Sequence, residues 1–438
     1  MANEVAPKRK RVVSGMRPTG RLHIGHYFGA LQNWERLQNA TSPSGTPEYD
    51  CFYFVADWHA LTSDYADTSA VAQNTIEITT DYLAAGIDPE KSILFLQSSV
   101  PEHAELHLLL SMVTPLSWLE RVPTYKEALE NIQNKDLHTY GFLGYPTLQT
   151  SDIVIYSEEG VPLFVPVGED QVSHVELSRE IVRKSNFHFG FHISEDLKSE
   201  TNLTFRLELN KRVHTGAFSP ANPMPDYAWV EWTAALKKIA MEIGLQNARQ
   251  ELPENLQKFY VIQDVLTEPS VMLTRTPRIP GLDGRKMSKS YNNAVTLGES
   301  DADIRAKTKV MKTDPARQRR SDPGNPDVCP VYDWHKLFSP AETLEWAAAG
   351  CRSAGIGCIE CKAKMADHLI EWIAPVRERR VEYEKHPARV LEILDEGSYQ
   401  ARKVAQKTMI RVREAVFAWK RKIDEIRAST TEVHDSHG

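Results

Sequence analysis

Two short stretches hold the side chains best suited to chemistry. In the first, His23 and His26 flank Ile24 and Gly25, after a β-like start (Val12, Val13) and a turn built from Gly15, Pro18 and Gly20. Apolar residues then recur at Tyr27, Ala30, Leu31, Trp34 and Leu37, a helical spacing. The imidazoles therefore open a helix, where free backbone N–H groups and the helix dipole favour an anion. Gly25 has no side chain to keep a flat ring off the backbone. A phosphate-bearing nucleotide suits the place, with Arg17 and Thr19 beside it. The second stretch is Gly284-Arg-Lys-Met-Ser-Lys-Ser290. Lys286, Ser288 and Lys289 put two ammonium groups and a hydroxyl on a loop with a glycine at its root, a clamp for a polyphosphate leaving group.

These groups need a scaffold, and the rest of the chain predicts one. Residues 50–56, 92–97 and 161–167 read as buried strands. Helical spacing covers Val71 to Tyr82, Glu102 to Met112 and Val172 to Val182. This alternation predicts an α/β domain with a parallel sheet wrapped by helices, its ligands beyond the carboxyl ends of the strands. The polar residues there are Asp57 and His59, Gln97 and Ser98, and Gly168-Glu-Asp-Gln171. Neither Gly-x-Gly-x-x-Gly nor a Walker loop is present, so the nucleotide is not held in either manner.

The rhythm breaks over 186–262, where Trp229, Trp232, Leu236, Ile239 and Ile243 form one helical stripe. We divide the chain into a catalytic domain over 1–185, an inserted subdomain over 186–262, a return to the catalytic domain over 263–312, a helical domain over 313–427 and a disordered tail over 428–438. Thr313 to Pro330 reads as the linker into the helical part. A late apolar line, Val404, Val412, Val416, Trp419, Ile423 and Ile426, is accompanied by Arg402, Lys403, Lys407, Arg411 and Arg413, which read as a wet face able to meet RNA phosphates. The run Lys8-Arg9-Lys10-Arg11 reads as a solvated flank.

The 438 residues allow two or three domains, and a net charge of −7 argues against indiscriminate nucleic-acid binding. No run approaches the ~18 apolar residues of a membrane span, so the expectation is a cytoplasmic protein without membrane or DNA partners. Of the five cysteines, Cys51 lies in an apolar strand. Cys329, Cys351, Cys358 and Cys361, with gaps of 21, 6 and 2 residues, could ligate tetrahedral zinc or a 4Fe–4S cluster, or remain buried thiols.

The two opening stretches resemble the His-Ile-Gly-His and Lys-Met-Ser-Lys-Ser signatures of class I aminoacyl-tRNA synthetases. Ser14 to Leu31, Tyr145 to Ile155 and Val165 to Gln171 are similar to bacterial tryptophanyl-tRNA synthetases. The resemblance implies a Rossmann-like catalytic domain followed by an α-helical anticodon-binding domain. It implies ATP with Mg2+, tryptophan and tRNA(Trp) as substrates, transfer to the terminal adenosine, and a homodimer. It places ATP against Arg17, Pro18, Thr19, Gly25, His26, Gly168, Glu169, Asp170, Gln171 and Ile279 and the loop Lys286, Met287, Ser288, Lys289 and Ser290, with His23, His26, Lys286, Ser288 and Lys289 serving the reaction. Tryptophan would meet Gln149, Asp152 and Gln171, the Asp152 carboxylate accepting the indole N–H. As an alternative, Asp152 could cap a helix.

Many relatives have Gln, Asn and Met where this chain has Arg17, His26 and Gln149. A subset of these synthetases has Cys-x22-Cys-x6-Cys-x2-Cys and a 4Fe–4S cluster; here the first gap is one residue shorter, and zinc is the alternative. Tyrosyl-tRNA synthetases share the scaffold and supply the second enzymatic reading; a non-catalytic RNA-binding paralogue is the third.

Overall fold

The computed structural model describes residues 8–131, 135–213, 224–274, 279–420, 422–424 and 426–427. The expected tail over 428–438 lies outside the described residues, as does the side chain of Ser290.

Strand β1 (Lys10–Met16) is followed by one helical turn (Ile24–His26), a wide π turn (Tyr27–Leu31) and helix α1 (Gln32–Gln38). Next come β2 (Tyr49–Val55), α2 (Asp57–Asp64), α3 (Val71–Ala84), β3 (Ser92–Leu96), α4 (Glu102–Ser111), α5 (Tyr140–Val154), β4 (Leu163–Val167) and α6 (Val172–Ser185). Then follow β5 (Phe191–Ile193), α7 (Asp226–Ile243), β6 (Tyr260–Ile262), β7 (Pro269–Leu273) and α8 (Asp301–Lys309). Four longer helices follow: α9 (Pro330–Phe338), α10 (Ala341–Arg352), α11 (Cys358–Lys385) and α12 (Pro387–Phe417).

The main sheet has five parallel strands in the order β3-β2-β1-β4-β7. Succession runs outward from β1 to β3 on one side and resumes at β4 on the other. The crevice beyond β1 and β4 is therefore the switch point at which open α/β sheets take ligands. Apolar side chains pack on both faces, with Val12, Tyr53 and Ile78 in one core and Val13, Phe52 and Val182 in the other. The segment between β5 and β6 builds a third core around Trp229, Trp232 and Leu236, and these two strands pair antiparallel at its neck.

Helix α12 belongs to the sheet. Ala401, Ala405, Met409 and Val412 are buried in its core, and Ser398 Oγ accepts from Leu96 N at 3.2 Å, covering the outer edge of β3. The helix stops at Phe417, where Ala418 has φ 50°. The apolar line therefore does not continue: Trp419, Ile423 and Ile426 are exposed. The basic face is also partly spent on internal bonds. Arg402 and Arg413 bind Glu102 and Glu105, and Arg411 donates to the Val265 and Ser157 carbonyls. The flank is solvated at Lys8, Arg9 and Lys10 but not at Arg11, and the four pair with Glu158, Asp50, Glu48 and Glu158 respectively, tying β1 to its surroundings. Among the described residues, no helix is long and apolar enough to cross a membrane.

Candidate active site

A cleft of ≈ 740 Å³ opens at the switch point, lined in part by Arg17, Thr19, His59, Asp152, Gly168 and Gln171. Its first wall is the turn after β1. Gly20 takes φ 93°, and the chain then presents the rings of His23 and His26 with centroids 3.7 Å apart. A Cβ on Gly25 would sit 2.9 Å from the His23 ring, so only glycine lets the ring lie against the backbone. His26 Nδ1 accepts from its own turn, from His23 N at 3.2 Å, which leaves the ring proton on Nε2.

Burial, then the Lys289 charge, lowers the His23 imidazole to about 4. Burial, His23 and Lys289 together hold His26 well below its ordinary value. Both rings are thus neutral at pH 7. They can donate hydrogen bonds to phosphate oxygens as neutral groups, in keeping with a helix start, whose dipole disfavours a cation.

The second signature stretch lies directly against the first. Lys289 Nζ donates to the carbonyls of Thr19 at 2.7 Å and Gly20 at 3.0 Å. A Cβ on Gly25 would meet Met287 Sδ at 3.4 Å. Backbone bonds join Ile24 N to Val295 O and Leu297 N to Leu22 O. Asn293 braces the loop: its amide accepts from Ser288 N at 2.8 Å and donates to Lys286 O at 3.1 Å and Asp283 at 2.7 Å. The bond from Asn293 is the main reason the Asp283 carboxyl is lowered to about 2. Exposed Lys286 reaches across to Asp170, 4.0 Å away. Glu169 and Asp170 are exposed on the turn after β4, with Gly168 and Gln171 half-buried beside them. Pro18 is buried under the first turn. Ile279, expected against adenine, is buried among Leu282 and Met287 in the core; like His23, His26 and Lys286 to Lys289, it is not among the residues lining the cleft.

The floor of the cleft is Asp152, on α5. Its carboxylate accepts from His59 Nε2 at 2.8 Å, from His103 Nδ1 at 2.6 Å and from Gln97 Nε2 at 2.8 Å. His103 Nε2 in turn bonds the Tyr156 hydroxyl at 2.8 Å. Burial alone would raise the Asp152 carboxyl, but the hydrogen bonds from His103 and His59 outweigh it and hold it below the usual carboxylate range. Asp152 does not cap a helix; it sits within one.

Gln149, one turn before, is held by His174, whose Nδ1 bonds its amide oxygen at 3.0 Å. His174 Nε2 reaches Thr124 at 2.8 Å, and Thr124 bonds Tyr145 at 2.5 Å. The amide is thus anchored in a chain of polar groups. Asn293, His103, Tyr156, Thr124 and His174 escaped sequence reasoning; only the i, i+4 spacing of Asp152 and Tyr156 hinted at the last turn of this network.

The four late cysteines gather where α9, α10 and α11 meet. Burial, followed by the influence of Cys329, Cys351 and Cys358, pushes the Cys361 thiol up to about 12. Cys361 Sγ lies 3.4 Å from His335 Nε2, and Gly324 leaves the space that Cys351 Sγ fills. Among the described residues, no group of three or more His, Cys, Asp and Glu side chains is arranged to hold a metal ion. The thiols are neighbours, but as placed they do not form a coordination shell.

The family described as tRNA synthetases class I (W and Y) matches residues 6–204 and 241–373. The chain belongs to this family. The gap between the two matched stretches, 205–240, falls inside the inserted subdomain, and 374–438 lies beyond the match. The synthetase is 45% identical over 419 residues to the tryptophan–tRNA ligase of Ralstonia nicotianae, covering 93% of this chain and 98% of that one. It is 41% identical over 407 residues to the tryptophan–tRNA ligase of Thermotoga maritima, with the same coverage of 93% and 98%. Among solved structures, the tryptophanyl-tRNA synthetase of Campylobacter jejuni complexed with ADP and tryptophan superposes with a TM-score of 0.67 at 26% identity, over 93% of this chain and 99% of that one.

Proposed function

We propose that this synthetase is a tryptophan–tRNA ligase: it activates L-tryptophan with ATP, releasing pyrophosphate, and passes tryptophan to the terminal adenosine of tRNA(Trp). The observation that supports this reading is the contact between the two signature stretches, Lys289 bonding Thr19 on the rim of a cleft floored by a buried carboxylate.

The reaction requires little proton chemistry, because the attacking carboxylate is already an anion; it requires alignment and neutralisation of phosphate charge. In this reading His23 and His26 donate neutral N–H groups to the triphosphate, while Lys286, Ser288 and Lys289 close on the leaving pyrophosphate. Mg2+ supplies charge neutralisation as part of the ATP substrate. Arg17, Pro18, Thr19, Gly25 and Gly168 to Gln171 shape the nucleotide side, with Met287 and Ser290 belonging to the lysine loop. Asp152 takes the indole N–H in place of one present donor, and Gln171 faces the amino acid from the turn after β4. Indole offers one donor and no acceptor, so a charged acceptor rejects apolar rivals of similar size. The enzyme works as a cytoplasmic homodimer.

The four cysteines are proposed ligands of a structural 4Fe–4S cluster. The nearness of four soft thiols supports this, and the cluster would pin the starts of α9 and α11 to the end of α10. Zinc, which four cysteine thiolates also suit, is the alternative occupant. Metal analysis together with the visible spectrum separates the two.

The deciding experiment is ATP–pyrophosphate exchange with tryptophan and tyrosine side by side. Exchange with tryptophan alone is expected. Exchange with tyrosine would move the assignment within the family, and none with either would leave a non-catalytic RNA-binding protein.

A further inference from the structure

Arg380 is 2% exposed on α11, far along the chain from either signature, and it is surrounded by groups that hold the first of them. Its guanidinium pairs with Asp81 and Glu77 of α3 and, at 3.1 Å, with Glu384. Asp81 is fully buried, and its other oxygen accepts from the backbone N–H of Leu22 at 2.5 Å. Leu22 is the residue immediately before His23. Arg21, one residue earlier, donates to Glu77 at 2.9 Å.

The opposite side of this turn is held by the strap that follows the lysine loop, through Leu297 N to Leu22 O at 2.9 Å and Ile24 N to Val295 O at 3.0 Å. That strap also leans on Arg380: a Cβ on Gly298 would lie 2.9 Å from its Nε and 3.0 Å from its Cδ. One buried guanidinium therefore touches both supports of the histidine turn.

We propose that Arg380 is a positioning residue for the nucleotide half of the site, holding the Asp81 side chain beneath Leu22 so that the C-terminal helix α11 sets where His23 and His26 stand. A buried carboxylate without a partner either takes up a proton or turns to water. In the first case the charge-assisted bond from Leu22 N falls to an ordinary one, and in the second it is lost. The tryptophan half should not respond, because Asp152 and its donors come from α2, α4, α5 and the end of β3, none of which contributes to the Arg380 cluster.

The proposal rests on the ATP chemistry assigned above, so its test includes a readout independent of activity. R380M, D81N and G298A are made in the full chain; G298A displaces the guanidinium without removing any charge. Hydrogen–deuterium exchange over residues 20–26 is expected to quicken in each variant while β3 stays protected. Exchange kinetics should show kcat/KM for ATP down at least tenfold, tryptophan Kd within twofold of wild type, and the D81N/R380M double variant no worse than the worse single. R380K, which keeps the charge, should recover part of the loss. Unchanged protection of the turn, or ATP and tryptophan parameters falling together, overturns the proposal. If R380M does not fold, D81N and G298A decide it by the same criteria. Wild-type protein lacking exchange altogether would refute the functional reading, while the protection data still judge the link from Arg380 to the turn.

Discussion

The ammonium of Lys289 donates to the carbonyl oxygen of Thr19 at 2.7 Å, joining segments 270 residues apart. Burial lowers the Lys289 pKa, and only the more distant Asp81 carboxylate counters it. The group is thus a partly desolvated cation held by neutral carbonyls, which a phosphate oxygen can outbid. Replacing Lys289 by Met should lower the exchange rate by roughly 100-fold, the scale of losing one preorganised electrostatic contact, with tryptophan affinity preserved. Comparable rates for variant and wild type would remove this lysine from the reaction.

The neutral histidines give the protein a direction of pH dependence. An unfolded His23 titrates near 6.5, whereas the folded one is lowered to about 4. Between these values the unfolded chain binds more protons, so stability rises with pH across the window and is fully present above it. The contribution from His23 is about 3 kcal/mol at most, lost on acidification from about pH 6.5 to about pH 4. His26 acts in the same direction. Urea midpoints at about pH 5 and about pH 7 should differ more for wild type than for His23→Gln. Equal differences in the two proteins would show that the imidazole is charged in the fold.

Gly397 marks the closest approach of α12 to the sheet: a Cβ there would lie 1.8 Å from the Leu94 carbonyl oxygen. Gly397→Ala must push the helix off the strand, loosening Ala401, Ala405 and the Leu96–Ser398 bond together. A loss of about 1–3 kcal/mol is expected, read as a lower urea midpoint. A midpoint unchanged from wild type would mean that α12 is not fixed to this edge.

The parts of the fold legible in the chain were those written in local pattern. The alternation around Val12, Phe52 and Leu94 marks strands, and the stripe from Trp229 to Ile243 marks a helix, because burial on one face is a property of neighbours in sequence. Strand β7 was not foreseen: Pro269-Ser-Val-Met-Leu273 is short, opens on proline and sits on the sheet edge, where patterning is weak. The role of α12 was misjudged for a different reason. Arg402, Arg411 and Arg413 look solvated beside one another, and their acceptors, Glu102, Val265 and Glu105, lie 146 to 308 residues away. In the site, the two signatures were readable as motifs, whereas the neutrality of His23 and the donors crowding Asp152 depend on tertiary neighbours that no spacing encodes.

Asp152 offers the sharpest test of which amino acid is taken. Its oxygens already accept from His59, His103 and Gln97, so an arriving indole must displace a donor, and His59, beside the cleft, is the one with room to move. Asp152→Asn keeps the volume but replaces one acceptor with an N–H group facing those donors. Leaving them unpaired costs about 1–3 kcal/mol. The KM for tryptophan should therefore rise about 10- to 100-fold, while the KM for ATP, set by the other half of the cleft, stays near wild type. His103→Asn removes a single donor and should move the tryptophan KM in the same direction by less. If Asp152→Asn left the tryptophan KM alone and raised that for ATP, the carboxylate would belong to the nucleotide side and the floor of the cleft would have to be reassigned.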